Sequence, residues 1–143
     1  SRFNERHARI AVEFARQSVE GGADSIAIIT PYVEQVRRIG RLLADAPGLA
    51  DHVECRTVHR FQGGERDVVI FDTVDADPLP PGRLLSGKAA GSSAPNLINV
   101  SLSRARGKLL IIADVSYFRR HDPSGVISQV LAAASRAGTV MTP

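Results

Sequence analysis

Thr57-Val58-His59-Arg60-Phe61-Gln62-Gly63-Gly64-Glu65-Arg66-Asp67-Val68-Val69-Ile70 sets a polar stretch between two strand-like runs. Hydroxyl, imidazole, amide, carboxylate and guanidinium groups and two adjacent glycines fall within a dozen residues. A connection that only joins strands does not need that chemistry. A loop at the end of a rigid sheet can aim such groups at a ligand, so the stretch reads as a ligand-touching turn.

Around it, helices alternate with short apolar runs. Asn4 is a plausible cap for a helix to Val19, with Ala11, Ala15 and Val19 four apart and Ile10 and Phe14 widening the stripe; Gly21-Gly22 stops it. Ser25–Thr30 is nearly all apolar and reads as a strand buried on both faces. Thr30-Pro31 suits a capped helix start, with Val36, Ile39 and Leu43 as the buried stripe, and Asp45–Asp51 reads as a loop. Val53–Val58 and Val68–Val74 read as strands, Asn96–Ala105 as a helix and Leu109–Ala113 as a fourth strand. Asp122-Pro123 reads as the cap of a last helix. Asp75–Pro95, rich in proline, glycine and serine, reads as one flexible loop. This alternation predicts an α/β domain with a mostly parallel sheet between layers of helix. Its ligands are expected beyond the carboxyl ends of the strands.

With 143 residues, a single domain over one core is expected. The formal charge of +3 permits a nucleic-acid partner without requiring one. A single cysteine, Cys55, allows no internal disulfide and reads as a small buried residue. A reducing, cytoplasmic (intracellular) setting is the simpler expectation. Four histidines and one cysteine without ligand spacing predict no metal site, and no apolar run is long enough to span a membrane.

The organising stretch resembles motif V of superfamily 1 helicases, in the branch of the nonsense-mediated-decay helicase: Thr-Val-[Asp/His]-x-Phe-Gln-Gly-x-Glu-x-Asp-x-Val-Ile. His59 stands where other members often have Asp. Two further stretches carry the same resemblance. Thr30-Pro31-Tyr32-Val33-Glu34-Gln35 is similar to motif IV, and Asn99-Val100-Ser101-Leu102-Ser103-Arg104-Ala105-Arg106 to motif VI. The resemblance covers almost all of the chain. It implies a RecA-like (P-loop NTPase-like) three-layer domain over residues 1–143, the second of the family's two motor domains.

Roles follow from the resemblance, residue by residue. Thr57, Val58, His59 and Asn99 are expected to hold single-stranded DNA or RNA. Tyr32, Gln35, Arg37, Gly63, Glu65 and Arg106 are expected beside the nucleotide, with Glu65 on the ribose hydroxyls. Gln62 would couple the γ-phosphate to strand binding. Where some members carry a basic residue after the glutamine of motif IV, this chain has Val36, and its first arginine is Arg37. On a helical wheel Arg104 falls at the apolar edge of the expected 96–105 helix, where its charge needs a partner. The family supplies one, the γ-phosphate, which makes Arg104 an arginine finger.

No Gly-x-x-x-x-Gly-Lys-[Ser/Thr] is present, and Gly87-Lys88 is followed by Ala89. ATP with Mg2+ is therefore expected to be held mainly by an N-terminal RecA-like domain of the same protein, and this chain alone to be inactive. The function implied is the C-terminal half of an ATP-dependent helicase motor. The alternative is a RecA-like module that only binds nucleic acid or protein.

Overall fold

Ile26, Ala27, Ile28, Ile29 and Thr30 are all buried, as a central parallel strand requires, and they form β1 (Ile26–Thr30). The structure is a computed structural model and describes residues 1–61, 63–82, 84–85 and 94–138. Strands β2 (Val53–Thr57) and β3 (Arg66–Asp72) flank β1, and β4 (Ala105–Ile112) pairs with β3. Every pairing is parallel, and the order is β2-β1-β3-β4. This is the α/β architecture that the alternating pattern predicts. The register pairs Ile26 with Val53 and Val68, and Thr30 with Thr57. All four strands thus end together at one edge, by Thr30, Thr57, Asp72 and Ile112.

Helices α1 (Glu5–Glu20) and α2 (Val33–Ala44), with the short α3 (Pro47–Ala50), build a core with one face of the sheet. Ala8, Ala11 and Ala15 carry no exposed surface and let α1 lie close to Ile26, Ile28 and Ile70. Each fully buried isoleucine contributes roughly 2–3 kcal/mol. Asn4 caps α1 as expected: its side chain accepts from the His7 backbone N–H. Thr30 does not cap α2. It ends β1, Tyr32 holds the cap position, and the buried Thr30 hydroxyl has no partner among the described residues. Cys55 joins the core as expected, and burial pushes its thiol pKa up to about 12.

Other expectations need correction. The chain divides into two compact units, Ser1–Val74 with Asn96–Ala113, and Asp75–Pro95 with Asp114–Pro143. Helix α4 (Ala94–Leu102) stops three residues before the expected end, and Ala105 already belongs to β4. The reason is sheet pairing. The Arg66 N–H donates to the Arg104 carbonyl (2.8 Å), and a Cβ at Gly107 would stand 3.0 Å from the Asp67 carbonyl, so a side chain there would crowd the paired strand. Arg106, Gly107 and Lys108 lie on the exposed lower half of an edge strand, which hid the strand's start from an apolar pattern.

In the second unit, helix α5 (Val115–His121) was not foreseen. It is capped by Asp114, whose carboxylate accepts from Tyr117 N. Asp122 ends α5 rather than opening the next helix. The chain turns through Gly125, where a Cβ would collide with the Asp122 carboxylate, into α6 (Val126–Ala137). The segment from Asp75, expected as one loose loop, is tied down in its described part. Asp75 accepts from Gly82 N (2.7 Å), the Tyr117 hydroxyl donates to the Leu79 carbonyl (2.6 Å), and Asp77 pairs with Arg120 and His121. Residues 86–93 lie outside the described residues.

Candidate functional site

The organising stretch is not a turn at one end of the sheet. Thr57 closes β2 at the carboxyl edge, level with Thr30 and, through β1, with Asp72. Arg66 opens β3 at the amino edge, two residues below the level of Ile26. At about 3.3 Å per residue, six residues separate the two levels by about 20 Å. Residues 58–65 are a crossover that passes β1 and joins opposite edges. The expectation that all three polar signatures gather at the carboxyl ends is therefore corrected: two groups of residues form, one at each edge.

At the carboxyl edge stand Thr57, Val58, His59, Tyr32, Gln35 and Arg37. Val58 N donates to the Thr30 carbonyl (3.0 Å), and the Thr57 carbonyl accepts from Arg60 N and Phe61 N, so the chain turns tightly after β2. His59 is exposed and Thr57 is almost buried. The Arg2 guanidinium lies over the Tyr32 ring at 5.8 Å. Arg37 is exposed beside Glu34.

Gln35 is fully buried and its amide is engaged. Nε2 donates to Asp72 Oδ2 (2.7 Å) and to the Asn4 carbonyl (2.9 Å), and Oε1 accepts from Asn4 N (2.8 Å). Asp72, also fully buried, bonds His7 Nδ1 through Oδ1 (2.9 Å) and accepts there from Val74 N (3.0 Å). Val74 is held at φ 65°, an uncommon conformation for a β-branched residue, and its carbonyl accepts from the Asn4 side chain. These bonds tie the N-terminal segment to α2 and to the end of β3.

At the amino edge stand Gly63, Gly64, Glu65, Arg66, Arg104 and Arg106; Asn99 lies on α4, just before β4. Gly63 takes φ 113°, a left-handed conformation that favours glycine. Arg66 folds back over the crossover. It donates to the Gly64 and Glu65 carbonyls, pairs with Glu54 (2.9 Å) and lies 5.4 Å from the Phe61 ring centroid. Arg106 is held by Asp67, whose Oδ1 accepts from Nη2 (2.6 Å) and Nε (3.1 Å). Asp67 Oδ2 accepts from the backbone N–H groups of Asp24 and Ser25. Arg106 first, then those N–H groups, hold the Asp67 carboxyl below the usual carboxylate range, and Asp67 raises the Arg106 pKa in return.

Arg104 is half-buried, in the turn between α4 and β4 rather than on a helix face, so the helical-wheel argument for it fails. The need for a partner remains, because its guanidinium makes no ion pair or hydrogen bond among the described residues. Glu65 is exposed and its carboxylate makes no hydrogen bond or ion pair there, though its charge adds to that of Asp67 in raising the Arg106 pKa. Gln62 lies outside the described residues. Among the described residues no cluster of three or more His, Cys, Asp or Glu could hold a metal ion.

The structure thus brings Thr57, Val58, His59 and Tyr32 together at one edge and Gly63, Glu65, Arg104 and Arg106 at the other. Asn99 falls with the second group, and Tyr32, Gln35 and Arg37 with the first. Arg66 and Asp67, which organise the amino edge, were not singled out from the sequence, although both sit inside the motif that was.

A parallel sheet between helices, with polar signatures at both edges joined by a single crossover, defines an α/β domain of the RecA-like class. The chain belongs to the AAA domain family, whose model matches residues 1–116, and it is a superfamily 1 helicase-like domain. It is 29% identical over 122 residues to the DNA polymerase alpha-associated DNA helicase A of Saccharomyces cerevisiae, covering 84% of this chain and 17% of that protein. It is 29% identical over 127 residues to the DNA replication ATP-dependent helicase/nuclease DNA2 of Mus musculus, covering 87% of this chain and 11% of that protein. Over 127 residues it is 32% identical to the "Helicase required for RNAi-mediated heterochromatin assembly 1" of Schizosaccharomyces pombe, covering 86% and 12%. The chain therefore spans only a small part of each of these relatives.

Proposed function

We propose that this chain is the C-terminal motor domain of an ATP-dependent superfamily 1 helicase. The carboxyl edge grips a single strand of DNA or RNA, and the amino edge faces ATP held mainly, with its Mg2+, by an N-terminal RecA-like domain of the same protein. The observation that carries this reading is that Glu65 and Arg104 stand at one edge, neither making a hydrogen bond or ion pair among the described residues, with Arg66 N bonded to the Arg104 carbonyl between them.

The donor set fits a nucleotide. A free guanidinium binds phosphate oxygens through two hydrogen bonds, and a free carboxylate accepts from ribose hydroxyls. ATP supplies the phosphoryl group whose transfer to water releases the free energy of the cycle. Arg104 stabilises the charge that develops there and acts as the finger. Arg106, already neutralised by Asp67, supports the local field rather than competing for the phosphate. Thr57 and the His59 backbone N–H, the one backbone donor of residues 58–61 that the turn does not engage, hold a strand phosphate. Tyr32 joins this grip, because its edge is the strand edge. Gln35, whose amide is fully engaged, holds the frame in place.

Arg104→Ala in the full-length protein should abolish strand-stimulated ATP hydrolysis and leave single-strand affinity within about threefold. Equal loss of both would refute the finger. No turnover by the intact, folded wild type would favour a module that only binds.

A further inference from the structure

The N-terminal corner carries an aromatic side chain that neither the core nor the motifs use. Phe3 is 52% exposed. The Arg38 guanidinium lies 3.6 Å from its ring centroid, and Arg38 is itself fixed by Glu5 (3.2 Å) and Glu34 (3.6 Å). The backbone on either side of Phe3 is clamped. The Ser1 hydroxyl accepts from Glu34 N, and Asn4 exchanges two hydrogen bonds with Gln35. A ring covered on one face by a guanidinium and still half-exposed presents its other face to solvent. Because its neighbours are fixed, little conformational freedom remains to be lost on binding.

The surroundings select the partner. Residues 1–9 and 33–41 carry six arginines against two glutamates, an excess larger than the +3 of the whole chain. The corner lies beside the first turn of α2, directly after the end of β1, at the same edge as Thr57. A flat apolar face in a basic setting, next to a phosphate grip, matches an unpaired nucleobase. The base stacks on the ring while the arginines meet its backbone.

We infer that Phe3, backed by Arg38, is a base-stacking platform for single-stranded nucleic acid. This rests on the proposed strand grip at the carboxyl edge and adds a second subsite to it.

The test compares binding of the full-length protein to a fluorescent oligothymidylate and to an abasic strand of the same length, by anisotropy. Phe3→Ala should weaken the oligothymidylate about tenfold and leave the abasic strand unchanged, and Phe3→Trp should restore binding. Thermal unfolding of each variant checks that the fold is retained. Equal loss on both strands would assign Phe3 to packing and overturn the platform, as would no loss on either. If Thr57→Ala weakens both strands while Phe3→Ala weakens neither, the platform falls and the strand grip stands. Wild-type protein that binds neither strand would overturn the strand grip and the platform together.

Discussion

Replacing Gln35 removes a side chain whose every polar atom is engaged in a buried site. Gln35→Met keeps nearly the same volume, so the cavity cost is small. What is lost is hydrogen bonding: Asp72 Oδ2 loses the Nε2 donor and the Asn4 N–H loses its acceptor, while the Asn4 carbonyl keeps the Ala8 N–H. A buried polar group left unpaired costs about 1–3 kcal/mol, and more when it is charged. Asn4 is only half-buried, so water relieves part of its share. The total is about 3–4 kcal/mol, a large fraction of the 5–15 kcal/mol typical of a domain. With a urea slope of about 2 kcal/mol/M, the midpoint should fall by roughly 1.5–2 M. Urea unfolding followed by circular dichroism measures this directly. A loss below about 1 kcal/mol would refute the reasoning, because it would mean that Asp72 and Asn4 find other partners at no cost. Gln35→Glu sharpens the test: it sets a second carboxylate against Asp72, so its deficit should shrink as pH falls and one proton is shared between them.

Two more perturbations probe the sheet edges. The folded-state pKa of Asp67 is depressed, so its contribution is fully present above the unfolded value near 3.9 and is lost as pH falls through the lower folded value. Asp67→Asn should flatten the decline of the urea midpoint below about pH 4, and an unchanged acid limb would show that Arg106 contributes nothing to folding. Thr30→Val replaces a fully buried hydroxyl that has no partner among the described residues, so stability should rise by about 1 kcal/mol. A thermal midpoint lowered by several degrees would mean that the hydroxyl is in fact bonded.

The strands that are buried on both faces were plain in the sequence, because Ile26–Ile29 and Val68–Phe71 carry apolar residues at every position. The motifs were plain as well, since their order and spacing do not depend on three-dimensional context. What sequence reading lost was the start of β4 and the path of the crossover. Arg106-Gly107-Lys108 has no apolar alternation, and only its pairing with β3 makes it a strand. Gly63-Gly64 suggested a turn back on itself, yet the parallel pairing of β2 and β3 with β1 forces the chain from one edge to the other. The buried network of Asn4, His7, Gln35 and Asp72 was illegible for a similar reason. Its members lie up to 70 residues from their partners, and polar residues give no periodic signal.

The crossover is short. From the level of Thr57 on β2 to Arg66 on β3, about 20 Å along the strands and two strand spacings across amount to about 22 Å. The turn after Thr57 keeps Phe61 near its start. The nine links from Thr57 to Arg66 would reach about 30 Å if fully stretched, and the turn after Thr57 and the bend at Gly63 use up part of that reach. Its last part is fixed where Arg66 bonds the Gly64 and Glu65 carbonyls and pairs with Glu54. Under the proposed function, this short covalent segment is the direct link between the nucleotide edge and the strand edge. An insertion there would lengthen that link while leaving the side chains at both edges unchanged.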